Sequence, residues 1–225
     1  RRHSFPTRRS SDLSLPANEA VALNSEIEYV LIQTETERLL IAESLVISCM
    51  QRYKIKDYKQ LGSAIGKVFE GILLQHPFYH RQVPVILGDH VTLETGTGAV
   101  HTAPAHGVED YNIAQHYGLP LINPVGGNGC YLPGTALFEG EHVFKVNPSI
   151  IDKLRESKNL LKEEDIKHSY PHCWRHKTPL IFRATPQWFI SMEQQGLKED
   201  SLAAIKAVDW IPQWGEARID TMISN

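Results

Sequence analysis

The chain has 225 residues, 42% of them hydrophobic and 22% charged, which is the composition of an ordinary water-soluble globular protein with enough length for a sizeable core. No apolar run approaches the ~18 residues of a membrane-spanning helix, so a soluble protein is expected. A net charge of -3 provides no global basic field, so any nucleic-acid partner must dock on local Lys/Arg patches or be held by another part of a larger protein.

Arg1 to Leu13 is rich in Arg and Ser with almost no apolar pattern and is expected to be a non-native leader; a transit peptide is the rival reading. Val21 to Leu23, Tyr29 to Gln33 and Leu39 to Ala42 predict short strands joined by polar connections. Glu43 to Tyr53 places Leu45, Val46, Cys49 and Met50 on one helical face, which makes Cys49 a core residue. The Gly, Pro and β-branched residues from Tyr58 to Val91 predict further strands and turns.

The densest chemistry lies in Gly96-Thr-Gly-Ala-Val-His-Thr-Ala-Pro-Ala-His-Gly-Val-Glu-Asp-Tyr111. Small residues before Val100 predict a strand that a neighbour or ligand approaches closely. His101 leaves the strand end, Pro104 and Gly107 punctuate a turn, and Val108 to Tyr117 predicts a helix capped by Gly118. Asp110 therefore falls in the first helical turn, where a carboxylate either offsets the helix macrodipole or grips a cationic ligand. His101 reads as either a structural hydrogen-bonding group or a ligand contact; His106 and Glu109 read as turn-shaping and solvated. Gly96-Thr-Gly98 is not a dinucleotide fingerprint, because the third glycine is missing and no helix starts directly behind it.

Gly126 to Gly129 predicts a turn, and Asn147 to Lys158 a helix with Asn147 as N-cap and Pro148 at its first position. Lys145, Lys153, Arg155, Lys158, Lys162 and Lys167 offer an RNA-facing patch, although interleaved acids favour a solvated face. Ser201 to Ala207 and Glu216 to Ile223 predict helices beyond a composition shift near residue 168. Cys49, Cys130 and Cys173 are odd in number and far apart, which fits a reducing compartment, the cytoplasm by default. Cys173-x-x-His176 has the spacing of half a zinc site, but no second close Cys or His pair accompanies it.

The Gly96 to Tyr111 run resembles the editing domain of isoleucyl-tRNA synthetases. So do Leu15-Pro-Ala-Asn18, His76-Pro-Phe78, Val83-Pro-Val-Ile-Leu-Gly-Asp-His-Val91, Asn123-Pro-Val-Gly126, His168-Ser-Tyr-Pro171, Trp174-Arg-His-Lys-Thr-Pro179, Phe182-Arg-Ala-Thr-Pro-Gln-Trp-Phe189 and Trp210-Ile-Pro212, in the same order. Similar valyl enzymes usually carry lysine in place of His101 and leucyl enzymes an apolar residue, which favours the isoleucyl branch. The resemblance implies a mixed β/α fold: a β-barrel-centred editing domain over residues 14–168 with peripheral helices, then a partial connection over 169–225 toward a Rossmann-like catalytic domain.

It implies an activity too, hydrolysis of the ester in tRNA(Ile) mischarged with valine. Asp110 would anchor the α-ammonium and His101 would limit the aminoacyl side chain, with Ser14, Thr97, Gly98, Thr102 and His106 as substrate contacts. A second, smaller pocket answers a real problem, since one methylene is worth only about 1–3 kcal/mol of discrimination, a limit for which this synthetase family is itself the worked case. Editing implies no cofactor, whereas the parent enzyme would use ATP and Mg; zinc rests on Cys173 and His176 alone. Where the family carries a strand containing Thr-Thr-Pro-Trp-Thr, this chain reads Arg9-Ser-Ser-Asp-Leu-Ser14, so an inactive fragment that binds a tRNA end is the alternative. The His-x-Gly-His and Lys-Met-Ser-Lys-Ser elements of aminoacylation are absent from the sequence.

Overall fold

A computed structural model describes residues 12–94, 96–164 and 170–224. The expected leader and the boundary near residue 168 fall largely on residues 1–11 and 165–169, outside the described residues. The chain divides into two compact units, 1–184 and 185–225.

The first unit is organised around β1 (Ala20–Leu23). Its sequence Ala-Val-Ala-Leu alternates small and large side chains, and all four residues are buried. Val21 and Leu23 join the main core with residues from β2 (Glu28–Gln33) and β3 (Arg38–Ala42), while Ala20 and Ala22 turn the other way onto Ile86 and Val91. This period of two lets one strand serve two cores. β1 pairs in parallel with β6 (Gln82–Leu87) and antiparallel with β7 (Val100–Thr102), and β5 (Leu73–Gln75) completes the sheet in the order β5-β6-β1-β7.

A second sheet runs β3-β2-β4, with β4 spanning Lys59–Ile65. The β2–β3 hairpin closes at Thr34, whose backbone N–H and hydroxyl both donate to the Glu37 carbonyl. The strand pairings among the described residues form two sheets sharing one core, and the mixed β/α class with peripheral helices holds.

A 3-10 turn (Glu43–Leu45) leads into helix α1 (Val46–Tyr53), which buries Leu45, Val46, Cys49 and Met50 as the spacing predicts. Helix α2 (Val108–Tyr117) starts at an extended Gly107 and ends at a left-handed Gly118, and the Leu119 N–H closes onto the Ala114 carbonyl. Helix α3 (Asn147–Glu156) ends two residues before the expected Lys158 and its cap is shifted by one: Val146 occupies the N-cap position, Asn147 is already helical, and no side-chain hydrogen bond from Val146 caps the end. Leu15, Tyr131, Phe138, Val143, Val146 and Ile150 form a further core cluster beneath α3. The second unit holds α4 (Leu197–Lys206) and α5 (Trp214–Ser224), longer than the sequence spans at both places. No helix among the described residues is long and apolar enough to cross a membrane.

Candidate active site

β7 carries His101 at its centre, opposite Val21 of β1, rather than beyond the strand end. The half-buried imidazole reaches back to the chain entering β1: its Nε2 lies 2.9 Å from Ser14 Oγ and its Nδ1 3.2 Å from Asn18 Nδ2. Asn18 Nδ2 also donates to the Ala20 carbonyl at 2.8 Å, which fixes the amide orientation. The amide therefore presents N–H to Nδ1, so the network assigns the proton of a neutral ring to Nε2, which donates to Ser14.

After β7 the Ala103 carbonyl accepts the His106 N–H, making a tight turn with Pro104 in its second position. Asp110, in the third helical position of α2, reaches back so that Oδ2 accepts the Ala103 N–H at 3.0 Å. The carboxylate thus combines the favourable end of the helix with a backbone donor, and it remains half-buried. His106 donates from Nδ1 to the Phe182 carbonyl at 2.8 Å, and burial lowers its pKa, opposed by that bond and by the charge of Asp110. The Ala184 N–H bonds to the Ala105 carbonyl at 2.7 Å and its carbonyl accepts from Asn123 Nδ2, so Phe182 to Ala184 lies along the same turn.

Thr97 and Thr102 are buried. The Thr97 carbonyl accepts from Ala42 N–H, and the Thr102 carbonyl accepts from Glu19 N–H. Gly98 adopts φ +78, a Cβ there would sit 2.6 Å from Ala42 Cβ, and its carbonyl accepts from the buried Tyr29 hydroxyl at 2.6 Å. The close approach legible in the glycines is therefore made by Ala42 and Tyr29. Thr102 Oγ1 and His106 Nε2 are buried and have no hydrogen-bond partner among the described residues.

Three residues that sequence reasoning gave no role enter through the segment Ser14 to Glu19. Arg81 donates to Glu19 Oε1 at 2.6 Å, to the Asn18 carbonyl at 2.6 Å and to the Pro16 carbonyl at 3.3 Å. His76 is buried; its Nδ1 accepts the Tyr79 N–H and its Nε2 faces the Leu15 carbonyl at 3.2 Å. Burial pushes the His76 pKa down to about 4, opposed by its hydrogen bond to the Leu15 carbonyl and reinforced by the charge of Arg81. Glu19 is raised by burial, with Arg81 opposing. A carboxylate directly before a fully apolar strand was the available signal, because such a group needs a cation.

Cys173 Sγ lies 3.4 Å from His176 Nδ1, but no group of three or more His, Cys, Asp or Glu side chains suited to a metal occurs among the described residues. The pair does not make a four-ligand zinc site. Within the basic group, Lys153 pairs with Glu156, Arg155 with Asp152 and Glu163, and Lys162 with Glu164. Lys167 lies outside the described residues.

Residues 20–141 match the family model described as the leucyl-tRNA synthetase editing domain. An isoleucine–tRNA ligase from Alkalilimnicola ehrlichii is 54% identical over 223 residues, covering 99% of this chain and 24% of that protein. The corresponding ligases of Idiomarina loihiensis and Vibrio cholerae are each 56% identical, over 93% and 94% of this chain and 23% of their own length. The chain thus spans about a quarter of these relatives. The crystal structure of GlLeuRS-CP1 superposes with a TM-score of 0.52 at 14% identity, over 72% of this chain and 82% of that one, and so shares the fold. With the matched region holding β1, β7, His101 and Asp110 together, the chain belongs to the isoleucine–tRNA ligase family, as a segment of its editing domain.

Proposed function

We propose that this segment hydrolyses the ester joining valine to the 3′ end of tRNA(Ile). The observation that carries the reading is the placement of Asp110 and His101 on one strand-turn-helix, the carboxylate held by Ala103 N–H and the imidazole by Ser14 and Asn18. A half-buried carboxylate at a helix N-terminus suits an α-ammonium, whose charge needs an opposite charge on leaving water. An imidazole with both nitrogens engaged by protein serves as a wall, limiting the size of the aminoacyl side chain rather than shuttling protons.

Ser14 and His106 flank the substrate, and Thr97, Gly98 and Thr102 shape the floor. Water adds to the ester carbonyl, the bond to the ribose oxygen breaks, that oxygen takes a proton, and valine and uncharged tRNA leave. The chain supplies positioning and hydrogen bonding, and no covalent nucleophile is needed. In the parent ligase this domain would work beside an ATP- and Mg-dependent catalytic domain in the cytoplasm, with tRNA(Ile) as the shared partner. The domain limits at residues 14 and 168 belong to the same proposal.

The test is deacylation of Val-tRNA(Ile) and Ile-tRNA(Ile) by this chain and by Asp110→Asn, which preserves an acceptor for Ala103 while removing the charge. Selective hydrolysis of the valyl ester, reduced about 10- to 100-fold in the variant, is expected from loss of a hydrogen bond to a charged group worth about 1.5–3 kcal/mol. Equal rates for the two esters refute the size filter. Tight binding of the charged tRNA end without hydrolysis would support the binding-only alternative.

A further inference from the structure

The residue that holds His101 in place is itself held from elsewhere. Ser14 to Glu19 comprises the end of a short 3-10 turn (Asp12–Ala17), where Asn18 N–H bonds to the Leu15 carbonyl, and the entry to β1. Its carbonyls point toward the turn between β5 and β6. There Arg81 grips Pro16 and Asn18 with one guanidinium nitrogen and Glu19 with the other, and His76 faces Leu15. A planar guanidinium fixes the relative positions of several acceptors at once, which a point-charge cation does not. Turn geometry at His76 sets its own ring: two backbone N–H groups, of Phe78 and Tyr79, face Nδ1, leaving Nε2–H for Leu15.

We propose that Arg81 is the positioning residue of this site, acting through the backbone of Pro16 and Asn18 to set the Asn18 amide and the Ser14 hydroxyl that lock His101 in its Nε2–H tautomer. The grip on the carbonyls does the positioning, and Glu19 neutralises the guanidinium in a place where water reaches only part of it. The consequence for catalysis rests on the hydrolytic reading above; the consequence for the His101 tautomer does not.

The experiment is long-range 1H–15N NMR of the imidazole nitrogens in the 225-residue chain, with Val-tRNA(Ile) deacylation measured on the same samples. The wild type is expected to show His101 as a single Nε2–H tautomer. Arg81→Ala is expected to mix the tautomers and slow deacylation at least ten-fold, and Arg81→Lys to restore both in part. Glu19→Gln is expected to keep the single tautomer. The signals of His142, whose Nδ1 faces Phe144 N–H away from the clamp, report whether the fold as a whole has suffered.

Unchanged His101 signals in Arg81→Ala overturn the proposal, as does a tautomer shift in Glu19→Gln equal to that in Arg81→Ala. A shifted tautomer with an unaltered rate removes the link to catalysis. If Arg81→Ala does not fold, Arg81→Lys carries the same comparison, and an unshifted spectrum there with a full rate counts against the carbonyl grip. Absence of hydrolysis by the wild type refutes the hydrolytic reading alone, because the tautomer arm still decides the role of Arg81.

Discussion

Acidification is expected to weaken the fold through His76. The ring is buried and its pKa falls from 6.5 to about 4, so the folded state binds the proton less readily than the unfolded chain. The stabilisation is fully present above pH 6.5 and is lost as pH falls toward 4. The ceiling of this effect is the shift itself at 1.36 kcal/mol per unit, about 3.4 kcal/mol, and linkage gives about 2 kcal/mol lost between pH 7 and pH 5.

The assay is urea unfolding of the wild type and of His76→Gln at both pH values. A glutamine amide can still donate to the Leu15 carbonyl but does not titrate. The variant is expected to be weaker at pH 7 because it leaves the Phe78 and Tyr79 N–H groups without their acceptor. Its deficit relative to the wild type should shrink by about 2 kcal/mol at pH 5, since only the wild type pays for a buried proton. His106 is also lowered by burial, but it is present in both proteins and cancels from the difference. Parallel curves for the two proteins would refute the reasoning and place the acid sensitivity elsewhere.

Gly98→Ala is expected to destabilise by at least about 2 kcal/mol in urea titrations, from left-handed backbone strain plus a methyl group 2.6 Å from Ala42 Cβ. Tyr29→Phe should cost about 1–3 kcal/mol, because the Gly98 carbonyl and the Asn24 N–H both lose the hydroxyl. Asp110→Ala should lower the melting temperature more than Asp110→Asn, because only alanine leaves Ala103 N–H unpaired, with the two equally impaired in deacylation. Arg155→Ala should change stability by less than about 1 kcal/mol, since its pairs with Asp152 and Glu163 are solvent-exposed.

Local patterns were legible in the sequence where they depend on near neighbours. Helix α2 runs from Gly107 to Gly118 as read, since glycine at each end has a local steric reason to stop a helix. The face of α1 and the three strands before it follow from periods of 3.6 and 2. At α3 the reading slipped by one residue, because a proline fits either the first or second helical position and Asn147 found no donor to cap.

What the sequence conceals is pairing across distance. That β1 lies between β6 and β7, or that the glycines face Tyr29 and Ala42, has no local signature. Arg81 carries no local signal of its role, because its partners lie more than sixty positions earlier in the chain.

The double-faced burial of β1 also sets the order in which the molecule can be assembled. The β2–β3 hairpin needs only neighbouring residues, so it can form early, but β1 waits for β6 and β7, whose arrival closes loops of many tens of residues. His101 rides on β7 and its supports precede β1, so their hydrogen-bonded arrangement forms only once those distant segments have met. Recovery of the proposed hydrolytic activity in refolding is then expected to lag behind formation of the β2–β3 hairpin, because the hairpin closes locally and the His101 network does not.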